Sequence, residues 1–195
     1  MPGSDSPRET LRQLLHLLCG AGAFVLWYWP RVAVVASLLV ATTFLIVAER
    51  YLRKRRHVTI PMFRAEETGY ANGAVRYAIG VGLAVLFFPQ QYAFLGWLIF
   101  AAGDSASTLI GRRWPVYRLK NRRSLGGFLG FIFAAGAAAL LGVLWWNQDI
   151  SMVHVQTLAV VAALCASAEL LITRFDDNYF LPPMAAGLCW LLSVM

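Results

Sequence analysis

Four carboxylates and a histidine lie in or beside apolar segments of this 195-residue chain: Asp104, Glu169, the pair Asp176 and Asp177, and His16. An ionisable group at membrane depth costs roughly 2.5 to 3.5 kcal/mol on insertion scales, so each one reads first as functional. Asp104 interrupts the apolar run "WLIFAAGDSASTLIGRR". Carboxylate and amide oxygens such as Asp104, Asp177 and Asn178 are hard ligands of the kind Mg²⁺ takes alongside substrate phosphates. The segment that follows Asp104 supplies the opposite charge, with Arg112, Arg113, Arg118, Lys120, Arg122 and Arg123. Guanidinium forks match phosphate oxygens in two-point contacts. Together these residues describe a magnesium–nucleotide site at a membrane surface. Each also has a structural reading: Asp104 as the N-cap of a short helix "SASTLIG", Glu169 as an arginine partner, His16 as a packing residue, and the arginines as topology determinants.

The elements that must position these groups are membrane helices. The chain is 59% hydrophobic and only 14% charged, with a mean hydropathy of +0.61, a balance foreign to soluble domains. A span needs ~20 mostly apolar residues. Seven candidates are present, at 14–29, 32–48, 74–88, 92–103, 125–146, 153–172 and 179–195. The first lacks a small-residue cleavage site and reads as a retained helix. Cys19, Cys165 and Cys189 all fall in apolar segments, which argues against a disulfide framework or a zinc site. The expected architecture is an all-α, polytopic membrane protein in one domain, 1–195.

The net charge of +7 belongs to topology rather than to a nucleic-acid partner. With the N-terminus in the cytoplasm and about seven alternating spans, only Arg31 of the 17 Lys and Arg falls outside, as the positive-inside rule requires. Residues 49–73 and 104–124 then form the two long cytoplasmic loops, and "TRFDDNYF" a third. Arg53 to Arg56 suit contact with anionic headgroups. Gly126, Gly130, Ala134, Ala138 and Gly142 recur every four residues, a small-residue stripe for close packing within the bundle or between subunits. The P-loop, the dinucleotide fingerprint and H-E-x-x-H are all absent from the sequence.

The order of these residues resembles the CTP-dependent lipid-alcohol kinases: dolichol kinase, phytol kinase and the yeast-type diacylglycerol kinase. That family has a helix ending in Gly-Asp, then a basic loop closing on Lys-Ser-x-Glu-Gly, an intramembrane Glu, and Asp-Asn before Pro. Here Gly103-Asp104-Ser105-Ala106, Arg123-Ser124-Leu125-Gly126-Gly127, Glu169, and Asp177-Asn178 ahead of Pro182-Pro183 match in order. "RQLLHLLCG" is similar to the family's R-K-x-x-H-x-x-x-G, and Arg64 and Glu67 to its R-x-x-E. Arg123 stands for the family's Lys, Gly126 for its Glu, and Trp114-Pro115 for a Gly-Lys pair.

The resemblance implies transfer of the γ-phosphoryl of CTP to the hydroxyl of a membrane lipid such as a polyprenol, phytol or diacylglycerol. It further implies Asp104, Asp177 and Asn178 as Mg²⁺ ligands, with Glu169 or Asp177 taking the proton. Arg112, Lys120, Arg123, Ser124, Gly127, Arg64 and Glu67 would surround the nucleotide. The site would face the cytoplasm from a bacterial inner membrane, or from the endoplasmic reticulum or a plastid membrane in a eukaryote. A phosphatidate-type cytidylyltransferase and a non-catalytic lipid-binding or transport protein fit the same ingredients.

Overall fold

The computed structural model describes residues 7–56, 73–119, 123–146, 150–172 and 175–192. Among them the regular structure is helical, and no strand forms. Helices α1 (Pro7–Ala21) and α2 (Val25–Tyr28) are joined through a single 3₁₀ turn. They are followed by α3 (Arg31–Arg56), α4 (Gly73–Phe87), α5 (Gln90–Arg113), α6 (Leu125–Trp145), α7 (Met152–Leu171) and α8 (Asp177–Leu191).

Each of the seven predicted apolar windows overlaps one of these helices or, for the first, the α1–α2 run. Five stretches are long and apolar enough to cross a membrane: Glu9–Tyr28, Arg31–Ala48 and the full lengths of α5, α6 and α7. Helices α4 and α8 have 15 residues each, or ~22 Å at 1.5 Å per residue.

Prolines punctuate the chain where they do least harm. Trp29 is extended (φ −114°, ψ 143°) as the residue before Pro30 must be, and this separates α2 from α3. Pro89 is the N-cap of α5, where a missing N–H costs nothing. Pro182 and Pro183 are different, because they lie inside α8. Each leaves the carbonyl four residues earlier without its helical donor. Those carbonyls belong to Asn178 and Tyr179, and both turn toward Gly80 of α4. A Cβ at Gly80 would collide with the Asn178 oxygen, so glycine lets α4 close on the broken turn.

Helix α5 is the axis of the bundle and packs against α6, α8, α1 and, less extensively, α4. Its residues Ala93, Phe94, Leu95, Ile99, Phe100 and Ala101 are buried. Gly96 lies against Pro182 and Ala186 of α8, and Gly103 against Phe131 of α6.

Helix α6 runs antiparallel to α5, from Gly130 beside Ile110 to Gly142 beside Leu95. The expected stripe serves this seam only in part. Gly126, Gly130 and Gly142 are buried, but the covered alanines are Ala135 and Ala139 rather than Ala134 and Ala138. Four residues overshoot a 3.6-residue turn by about 40°, so a strict four-residue row winds off the contact face.

Helix α1 also runs antiparallel to α5, with Gly22 on Trp97 and Gly20 on Ala101. Leu11, Leu14, Leu17 and Leu18 are left on its outer side. Helix α3 is the least covered, and Val34 is its one fully buried residue among those described.

Gly80→Ala is expected to push α4 away from the proline-broken turn of α8. The cost should be about 1 to 3 kcal/mol, the range for overpacking, read as a lower thermal midpoint of the purified protein in detergent.

Candidate functional site

Asp104 does not cap a new helix. Helix α5 passes through it without a break and ends nine residues later at Arg113, with Trp114 N–H bonded to the Ile110 carbonyl at 2.7 Å. The irregular segment therefore begins at Trp114, not at residue 104. The main-chain donors after Asp104 are already held by the helix, which frees its carboxylate to project sideways. Residues 104, 107, 108, 111 and 112 then share one face, as i, i+3, i+4, i+7 and i+8 must.

The segment from Trp114 to Ser124 is fastened at both ends. Arg118 and Ser124 form an isolated antiparallel bridge. Leu119 N–H donates to Arg123 O at 2.8 Å and Leu125 N–H to Tyr117 O at 2.9 Å. Tyr117 N–H reaches back to Pro115 O at 2.5 Å around Val116, whose φ of 51° is rare for a β-branched residue. Ser124 caps α6 by accepting from Gly127 N–H at 3.1 Å, and its hydroxyl donates to Gly111 O at 3.3 Å. Gly126 N–H faces Pro115 O at 3.3 Å, and Phe128 N–H bonds Ser124 O at 3.0 Å. The first N–H groups of α6 are thus already satisfied, which leaves recognition of an anion to the guanidinium groups beside them.

Three of the predicted acids meet. Carboxylate oxygens of Asp104 (α5), Glu169 (α7) and Asp177 (first residue of α8) all lie within 4.8 Å of one another. Arg123 reaches them from the loop, with Nη1 at 2.5 Å from Glu169 and Nη2 at 3.3 Å from Asp177. Asp176 starts α8 by accepting from Asn178 N–H at 3.1 Å, and is held by Arg76 of α4 at 2.5 Å. Asn178 Nδ2 donates to Asp176 at 2.7 Å, which holds its amide nitrogen in this turn beside the acids.

The donor set suits a hard divalent ion. Two Mg–O bonds of ~2.1 Å span at most ~4.2 Å. Oxygens grouped within 4.8 Å of one another are close enough for such an ion to draw on all three acids, directly or through water.

A cavity of about 260 Å³ opens beside the acids. Of the residues singled out from the sequence, Arg112, Arg123, Ser124, Gly127 and Glu169 line it, together with Arg118, Ser107, Thr108 and Gly111. Gly127 contributes room rather than a donor, because its N–H belongs to Ser124. Lys120, Arg64 and Glu67 lie outside the described residues.

Sequence reasoning missed much of the α1 contribution. Glu9 pairs with Arg12 at 2.5 Å and lies 3.4 Å from Arg112. Gln13 is buried, and its carbonyl accepts from Ser105 at 3.2 Å. His16 Nε2 is 3.5 Å from Asp104. Glu9, Arg12, Gln13 and His16 follow i, i+3, i+4, i+7, a periodicity visible in the sequence.

Comparison with known proteins finds several relatives of modest identity. The chain is 27% identical to CTP-dependent diacylglycerol kinase 1 of Schizosaccharomyces pombe, over 73% of this chain and 70% of that protein. Its curated homologues include lipid kinases. A phytol kinase of Synechocystis sp. is 24% identical across 96% of this chain and 81% of its own length. An uncharacterised protein of Methanocaldococcus jannaschii is 28% identical, over 92% and 91%. No family model matches, and no solved structure matches. These likenesses support a membrane lipid kinase.

Gly126, where the resemblance expects Glu, has a local cause. A Cβ there would run into the Trp114 carbonyl oxygen, since the backbone of Trp114 and Pro115 fills that space. Gly126→Glu is therefore expected to expel the 114–119 segment and lower the thermal midpoint, by about 1 to 3 kcal/mol for an overpacked site. A variant as stable as the parent would show that the segment can yield.

Proposed function

We propose that this chain is a lipid kinase that moves the γ-phosphoryl group of a nucleotide, CTP by its likeness to the yeast enzyme, onto the hydroxyl of a membrane lipid. The observation that carries the reading is the convergence of Asp104, Glu169 and Asp177 beside an arginine-lined cavity. Phosphoryl transfer is a matter of positioning and charge neutralisation, with little covalent work for the protein. Arg112, Arg118 and Arg123 hold phosphate oxygens, and Ser124 keeps the α5–α6 corner closed behind them. Asp104, Asp177 and Glu169 would hold a Mg²⁺ ion, which would supply charge neutralisation at the phosphates.

The lipid hydroxyl loses its proton to a carboxylate oxygen of the trio, Glu169 or Asp177, as its oxygen bonds to the γ-phosphorus. The bond from that phosphorus to the β-phosphate oxygen breaks, and CDP leaves. The lysine and arginine asymmetry along the chain supports a cytoplasmic position for this chemistry.

The test is purified protein in lipid nanodiscs with Mg²⁺, γ-labelled CTP or ATP, and diacylglycerol, phytol or a polyprenol. Labelled phospholipid with CDP is the expected product; pyrophosphate would make the chain a cytidylyltransferase. Absence of turnover and of nucleotide binding would remove the enzyme reading. Asp104→Asn is expected to lower kcat on the order of 10²-fold, as loss of a preorganised charge at a transferring group does. Glu169→Gln is expected to fall within the 10²- to 10⁴-fold range of a positioned acid–base group.

A further inference from the structure

We infer that His16 is the hydrogen-bond partner of the acceptor alcohol's hydroxyl, and that the lipid reaches the acidic trio from the α1 and α4 side. This rests on the kinase reading above and adds the acceptor's seat to it.

The first ground is an unused atom. His16 Nε2 is buried without a hydrogen-bond partner and lies 3.5 Å from Asp104 Oδ2, a separation longer than a hydrogen bond. A buried polar atom left unpaired is costly, so its retention beside the acids calls for a ligand. One turn earlier on the same face, Gln13 Oε1 is also buried and unpaired, in a residue only 3% exposed. The rest of this helix face is committed: Glu9 to Arg12 and Arg112, and the Gln13 carbonyl to Ser105.

The second ground is sidedness. The arginine-lined cavity lies along Ser107, Gly111 and Ser124, between α5, α6 and α7. Asp104 meets His16 on the α1 flank of α5, so the trio has a nucleotide side and a second side. That second side is built for something with little charge. His16 is packed edge-on by Tyr77 of α4, centroids 4.7 Å apart, and by Phe100 of α5, at 4.9 Å. Tyr77 is itself fixed by a 2.6 Å bond from Trp97.

On that side the one guanidinium near His16, Arg12, is already paired with Glu9, and the rest of the wall is aromatic, so a polyphosphate would find little to hold it. A single hydroxyl on a long apolar chain matches it, with one polar atom for the open nitrogen and an apolar body for the rings.

The test compares the parent protein with His16→Phe, which keeps ring packing and removes the hydrogen bond, and with His16→Gln, which restores a polar group at similar reach. Two readouts are needed: turnover with Mg²⁺–CTP, and equilibrium binding of labelled diacylglycerol and phytol in nanodiscs with β,γ-methylene CTP present, which requires no catalysis. His16→Phe is expected to raise both the KM and the Kd for the alcohol about 3- to 10-fold, the worth of one net hydrogen bond. The nucleotide KM and the Mg²⁺ dependence should stay as in the parent, and His16→Gln should recover much of the loss.

Unchanged alcohol binding in His16→Phe, or a defect confined to nucleotide or cation, would overturn the assignment. If His16→Phe does not fold, His16→Leu read against His16→Gln decides it by the same criteria. If the parent turns over no alcohol, the kinase reading falls, while the binding measurement still judges His16.

Discussion

The site depends on one electrostatic constraint: three carboxylates from three different helices come within 4.8 Å of one another inside a largely apolar bundle. Like charges at that distance drive the helices apart unless a positive charge lies among them. Arg123 supplies part of it by touching Glu169 and Asp177 together. The loop that carries Arg123 is therefore structural as well as chemical. Its bridge at Arg118 and Ser124, its strained Val116 and its grip on Gly126 all hold the guanidinium against the acids.

Glycines give the rest of the molecule the room this constraint needs. Gly111 and Gly127 bring α5 and α6 together under the Ser124 cap, and Gly80 admits the freed carbonyls at the start of α8. The latter contact sets the first turn of α8, and with it Asp177. A change in α4 would thus be felt at an acid that α4 does not itself carry. Arg76 reinforces the link by pairing with Asp176 one turn before Gly80 along the same helix.

Much of this was legible in the sequence, because a carboxylate in an apolar run is expensive and so announces itself. Asp104, Glu169 and Asp177 were readable on that ground, although Asp104 lies nine residues inside α5 and not at its end. The continuation of α5 past Asp104 was not readable. "SASTLIG" is rich in residues that compete with helical hydrogen bonds, and what holds it helical is packing against α6, a tertiary effect. Gly126 looked like a lost acid until the Trp114 carbonyl was seen to occupy its place. The polar face of α1 was readable as periodicity, yet beside Leu14, Leu17 and Leu18 an apolar reading of the segment is the more obvious one.

That face of α1 bears on how the protein is made. Glu9, Arg12, Gln13 and His16 find their partners on one another and on α5, which is synthesised some eighty residues later. Until α5 emerges, α1 has no bundle to turn its polar side toward, and lipid is a poor substitute. Membrane integration of the first helix is thus tied to the fifth, and the N-terminal segment commits to its place only when the chain that bears Asp104 arrives.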